Sequence, residues 1–115
     1  MRRDGVEALL VLPDSFSTFH RARISELAAR HRMPAIYGHS QFVEVDGLMS
    51  YGPSFVDAYH RAASHVDKLL KGAMPAELPV QEPTKFELII NLKTSNALGF
   101  DVPQPLMSRA DRVIK

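Results

Sequence analysis

The chain has 115 residues, with fourteen Lys and Arg against thirteen Asp and Glu, 45% hydrophobic content and no cysteine. That is room for one modest domain with a core, without a basic footprint for nucleic acid or an anionic membrane, and it excludes disulfides and thiolate metal sites. No apolar run approaches a membrane span, and in the signal-like opening MRRDGVEALLVLP the acidic Asp4 and Glu7 intervene and no small-residue cleavage site follows.

Val6 to Leu12 (VEALLVL) is a nearly unbroken apolar run of strand length, the pattern of a parallel strand covered on both faces. Pro13-Asp14-Ser15 ends it. Asp14, Ser15 and Ser17 are competent caps for a helix expected from about Ser17 to His31, with Ile24, Leu27, Ala28 and His31 inward and Pro34 as its stop. Ala35 to Gly38 reads as a second short strand, and His39 to Asp46 as a loop or half-turn.

Leu48 to Tyr51 is a third strand, broken at Gly52-Pro53. Ser54 then caps a long amphipathic helix. Phe55, Tyr59, Ala62, Val66 and Leu69 recur at helical spacing, and Val56, Ala63 and Leu70 widen the stripe. Asp57 suits the positive end, Lys68 and Lys71 the negative end, and Gly72 supplies a left-handed stop. Pro75, Pro79 and Pro83 forbid regular helix from Ala73 to Thr84 and predict an extended crossing segment. Phe86 to Asn91 (FELIIN) is a strand, Thr94 to Leu98 one helical turn closed by Gly99. Pro105 opens a last helix with Leu106, Ala110, Val113 and Ile114 on its apolar side.

Strand and helix alternate, which predicts an α/β fold: a Rossmann-like parallel sheet with flanking helices. Such sheets take ligands at the carboxyl ends of their strands. Three of those ends carry polar groups: Asp14-Ser15, Gly38-His39-Ser40 and Ser50-Tyr51. Helix capping alone would account for Asp14 and Ser15, and loop polarity for His39. The three together point to one shared ligand site containing Asp14, Ser15, His39 and Tyr51. Phe16, Phe19, Phe42 and Phe55 are expected mostly in the core. The five histidines form no HExxH pattern, and no GxSxG, GxxxxGK[ST] or GxGxxG motif is present, so no enzyme, metal site or cofactor is expected.

The runs PAIYGHSQFVEVDGLMSYGPS and AASHVDKLLKGAMPAELPVQEPTKFELIINLKTSNALGF, with the ending PLMSRADRVIK, resemble the C-terminal part of the substrate-binding proteins of bacterial ABC transporters. The resemblance implies part of a type I periplasmic-binding-protein fold, whose two lobes close hinge-fashion on a small solute such as an amino acid. It places residues 1–52 in the second lobe, has 53–74 cross to the first, and puts another crossing in 75–115, followed by a strand and C-terminal helix. It implies that Asp14, Ser15, His39, Tyr51 and Gly52 face the interlobe cleft. An ABC permease is the implied partner, and a periplasmic or extracytoplasmic location is implied, although this chain carries no signal sequence and the cytoplasm stays open. The chain lacks the family's signal sequence, most of its first lobe and the opening strands of its second. With the helix stripe so left without its family partner, a homodimer or a strand- or helix-exchanged assembly is expected. The alternative is a small dimeric α/β interaction or regulatory module without transport function.

Overall fold

The computed structural model describes residues 5–115; Met1 to Asp4, at the start of the signal-like opening, lie outside the described residues. Its elements are β1 (Leu9–Val11), α1 (Ser15–Phe19), α2 (Arg21–Arg30), β2 (Ala35–Tyr37), a 3-10 helix (Ser40–Val45) and β3 (Met49–Pro53). These are followed by α3 (Phe55–Leu70), a 3-10 turn (Pro75–Glu77), β4 (Phe86–Asn91), α4 (Leu92–Leu98), α5 (Gln104–Arg109) and β5 (Arg112–Ile114). The five strands form one sheet in the order β1-β2-β3-β4-β5. β1 runs parallel to β2, β2 to β3 and β4 to β5, in register Val11↔Tyr37, Tyr37↔Ser50 and Asn91↔Ile114. This is the expected α/β class.

The chain divides into two compact units: the chain up to Gly52 together with Glu87–Lys115, and Pro53–Phe86. In the first, Ala28, Met33, Ala35, Tyr37 and Phe42 form the core, with Leu9, Val11 and Ile24 packed against it. The Tyr37 and Phe42 rings stack at 4.4 Å and 12°, both essentially without solvent contact. Offset aromatic stacking adds to burial here, so this pair anchors the 3-10 helix under β2. Leu88, Ile89 and Ile90 bury the centre of β4, as a continuous apolar run in a parallel sheet should.

Several local expectations are corrected. The helix over 17–31 is two helices joined at His20, whose φ of −94° and ψ of 19° leave helical geometry, and His31 is exposed. The segment 39–46 is a 3-10 helix closed by Asp46 in the left-handed region, φ 63°. The final helix ends at Arg109, and Arg112–Ile114 is a strand. There Asp111 clamps the chain onto β4: its N–H donates to the Leu88 carbonyl, and its carboxylate accepts from the Leu88 N–H, each at 2.8 Å. The β-branched Val113 and Ile114 then pair with Ile90 and Asn91, and tertiary pairing overrides a helix-compatible spacing. β1 is an edge strand with Leu10 64% exposed rather than covered on both faces. Of the four phenylalanines expected mainly in the core, only Phe42 is buried; Phe16 and Phe19 are 75% and 81% exposed.

The second unit is α3 and the proline segment after it. Ser54 Oγ accepts from the Asp57 N–H at 3.2 Å, and Gly72 stops the helix at φ 101°. The Ser54 N–H donates to the Lys85 carbonyl at 2.9 Å, closing the segment back on the start of the helix. Arg61 holds Asp57 at 2.9 Å and donates to Thr84 Oγ1, so one guanidinium ties helix to strap.

Candidate functional site

Two glycines bring three strand ends together. Beyond β2, Gly38 lies so close to the turn after β1 that a Cβ there would sit 2.6 Å from Pro13 Cδ. Its N–H donates to the Val11 carbonyl at 3.0 Å, continuing the β1–β2 ladder. A Cβ on Gly52, in β3, would run into the Gly38 carbonyl oxygen. Only hydrogen fits at either place, which is the service glycine gives where backbones approach closely. Pro13, Gly38 and Gly52 are therefore stacked across the carboxyl ends of three parallel strands.

The predicted residues are the sequence neighbours of that stack. Asp14 follows Pro13, with Ser15 next to it; His39 follows Gly38; Tyr51 precedes Gly52. Asp14 and Ser15 are exposed, His39 and Gly52 half-buried, and the Tyr51 ring is 55% exposed while Ser50 beside it points inward at 2%. Alternation along β3 thus turns Tyr51 outward and Ser50 into the core. The structure brings these ends together.

Asp14 is the N-cap of α1, with Oδ1 accepting from the Ser17 N–H at 2.8 Å and its backbone carbonyl accepting from Thr18 Oγ1 at 2.7 Å. Hydrogen bonds from the Ser17 side chain and backbone hold its carboxyl below the ordinary 3.8, with smaller help from the Phe16 N–H and the charge of His39. The first-turn N–H groups of α1 are thus directed at Asp14, and the end of β1 presents a carboxylate held in its ionised form.

A groove of about 480 Å³, which sequence reasoning missed, lies within the second unit between α3 and the strap, bordered among others by Asp57, Arg61, His65, Leu78 and Pro79. None of the five predicted residues borders it. Its only sequence signal was the set of three prolines, which stiffen the strap that forms one wall. Among the described residues no three His, Asp or Glu side chains gather as metal ligands, and no helix is long and apolar enough to cross a membrane.

A parallel α/β sheet with flanking helices and polar groups at adjacent strand ends has the architecture of the open-sheet class, whose members take ligands outside the carboxyl ends of their strands. Within that class, the chain belongs to the ABC transporter substrate binding protein family, whose model matches residues 2–114. Among solved structures it is similar to a complex with L-Trp of an ABC domain from Streptococcus pneumonia, at 26% identity and a TM-score of 0.86, covering 98% of this chain and 39% of that one. It also shares its fold with a conserved domain protein from Vibrio cholerae, at 22% identity and a TM-score of 0.87 over 96% of this chain and 37% of that one. A ligand-free, open substrate binding protein with adhesive properties from Clostridium difficile aligns at 22% identity and a TM-score of 0.67. The chain thus spans well under half the length of these structures. No curated protein sequence matches it.

Proposed function

We propose that this chain is a solute-binding component of a bacterial ABC importer, and that Asp14, Ser15, His39, Tyr51 and Gly52 form one wall of its site. The observation that carries this reading is the glycine-mediated stack of three strand ends, each adjoining a polar or aromatic side chain. The solute is an amino acid or a similar small amine. Asp14, held ionised, pairs with an ammonium group, and the outward Tyr51 ring supplies an apolar face. Helix-end N–H groups do not hold an anion here, because those of Ser17 and Phe16 serve Asp14. Complex formation with L-Trp by the S. pneumonia structure, similar over nearly all of this chain, supports this class of solute.

In this reading the part up to residue 52 belongs to the second lobe of a two-lobed binder, and residues 53–74 cross toward the first. The cleft is completed by further polypeptide, an ABC permease receives the solute, and the protein works outside the cytoplasm. Binding and release are its activity, without catalysis. Isothermal titration with L-Trp and with branched and basic amino acids tests it. Saturable binding that Asp14→Ala and Tyr51→Ala each weaken at least tenfold is expected; a flat titration with the whole panel overturns it.

A second reading, a small dimeric interaction module, is favoured by one observation: α3 has no buried residue, and its apolar stripe lies open. The homodimer belongs to both readings.

A further inference from the structure

One polar atom inside the first unit stands apart from the rest. Ser25 lies in the middle of α2 and is 4% exposed, and its Oγ is shut off from solvent with no hydrogen-bond partner among the described residues. A serine inside a helix commonly gives its hydroxyl to the carbonyl four residues back, here that of Arg21. Ser25 does not. Buried polar atoms of native proteins nearly all find a partner, in protein or in ordered water.

Ser25 borders a small cavity, together with Ala29, Tyr37, Asp46, Leu48 and Thr94 among others. Its walls come from α2, β2, the turn before β3, and α4. Two of these residues form a polar pair: Thr94 Oγ1 donates to the Asp46 carbonyl at 3.1 Å. The Thr94 hydroxyl has spent its proton there but keeps acceptor capacity, and the carbonyl keeps a second lone pair. The cavity therefore gathers one unspent hydroxyl and two acceptors. Size decides what it can hold. Its volume is about 10 Å³, close to what a single water needs and far below the several hundred cubic ångströms of an organic-ligand pocket.

We propose that this cavity is the binding site of one structural water molecule. The Ser25 hydroxyl donates to the water, and the water donates to Thr94 Oγ1 and to the Asp46 carbonyl. Three hydrogen bonds are the usual complement of a buried water. The molecule links α2 and α4 to the turn at Asp46, the residue in the left-handed region that closes the 3-10 helix ahead of β3. Every residue named here belongs to the first unit. The site thus depends on neither the solute reading nor the α3 stripe, and a flat amino-acid titration leaves it standing.

A crystal structure of the full chain that orders its solvent tests the proposal. A water oxygen within about 3.2 Å of Ser25 Oγ, and of Thr94 Oγ1 or the Asp46 carbonyl, is expected. Ser25 Oγ bonded directly to the Arg21 carbonyl or to Tyr37 Oη, without density in the cavity, overturns it. Magnetic relaxation dispersion of water oxygen reads the same site in solution. Ser25→Ala, a change that a helix interior tolerates, should keep the circular-dichroism spectrum and show one long-lived water fewer than the wild type. Equal counts in the two proteins overturn the proposal.

Discussion

Gly52 meets Gly38 across β3 and β2 with so little room that a methyl group on Gly52 would strike the Gly38 carbonyl oxygen. The atom in the way is backbone, which cannot rotate aside as a side chain could. Gly52→Ala therefore pushes the two strand ends apart at an overpacking cost of about 1–3 kcal/mol. Thermal unfolding should show a Tm lower by about 4 °C or more. Gly38→Ala meets Pro13 Cδ at 2.6 Å and should act in the same direction. Both variants should lose solute binding more than their stability loss explains, since the wall is built on this contact.

Asp14 offers a pH signature. Its carboxyl lies below the ordinary 3.8, so the folded state binds its proton less readily than the unfolded chain. The stabilisation is present above the unfolded value and is lost as pH falls through the lower folded value. Denaturation followed from pH 6 to about pH 2 should show this acid limb, and Asp14→Asn, which keeps an acceptor for the Ser17 N–H but no charge, should flatten it. A carboxyl carbon titrating at or above 3.8 in NMR would contradict the assignment.

Tyr37 has the opposite sense. Burial pushes its phenol above the ordinary 10. The unfolded chain thus loses this proton first, and stability falls as pH rises past the unfolded value. Absorbance near the phenolate band should show one of the three tyrosines ionising only at higher pH, together with unfolding. Its stacking partner is the larger lever: Phe42→Ala should cost about 3–5 kcal/mol, a large part of a small domain's stability.

The Asp111–Leu88 clamp decides where the chain ends its helix and joins the sheet. Asp111→Ala leaves the N–H of buried Leu88 without an acceptor, at a cost of about 1–3 kcal/mol. Hydrogen exchange should then speed up at Leu88 and across β5. Asp111→Asn, still an acceptor, should cost less. Equal exchange in wild type and Asp111→Ala would remove the clamp from this account.

Much of this is legible in the sequence alone. Ser54 with Asp57 and Gly72 fixed both ends of α3, because capping and left-handed stops act within a few residues. The apolar run from Val6 to Leu12 contains β1, which is confined to Leu9–Val11, and the run Phe86 to Asn91 is β4; the strand ends at Asp14, His39 and Tyr51 are polar as expected. The C-terminal strand is not legible in the sequence because Leu106, Ala110, Val113 and Ile114 satisfy a helical period equally well. The choice was made by Asp111 against Leu88, twenty-three residues away. Hydrophobicity favours the core for most of Phe16, Phe19, Phe42 and Phe55, but it does not say which face of a five-residue helix the fold covers, and Phe16 and Phe19 lie exposed.

By itself, then, the sequence determined the class of fold, its main elements and the ends of the long helix, since periodicity, capping and turn chemistry are local. Only the tertiary structure decided that Pro13, Gly38 and Gly52 touch, that Asp14 takes the first-turn N–H groups of its own helix, and that the α3 stripe lies open. Those are matters of distance between segments remote in the chain, and such distances follow from how the strands pair and pack rather than from any one stretch of residues.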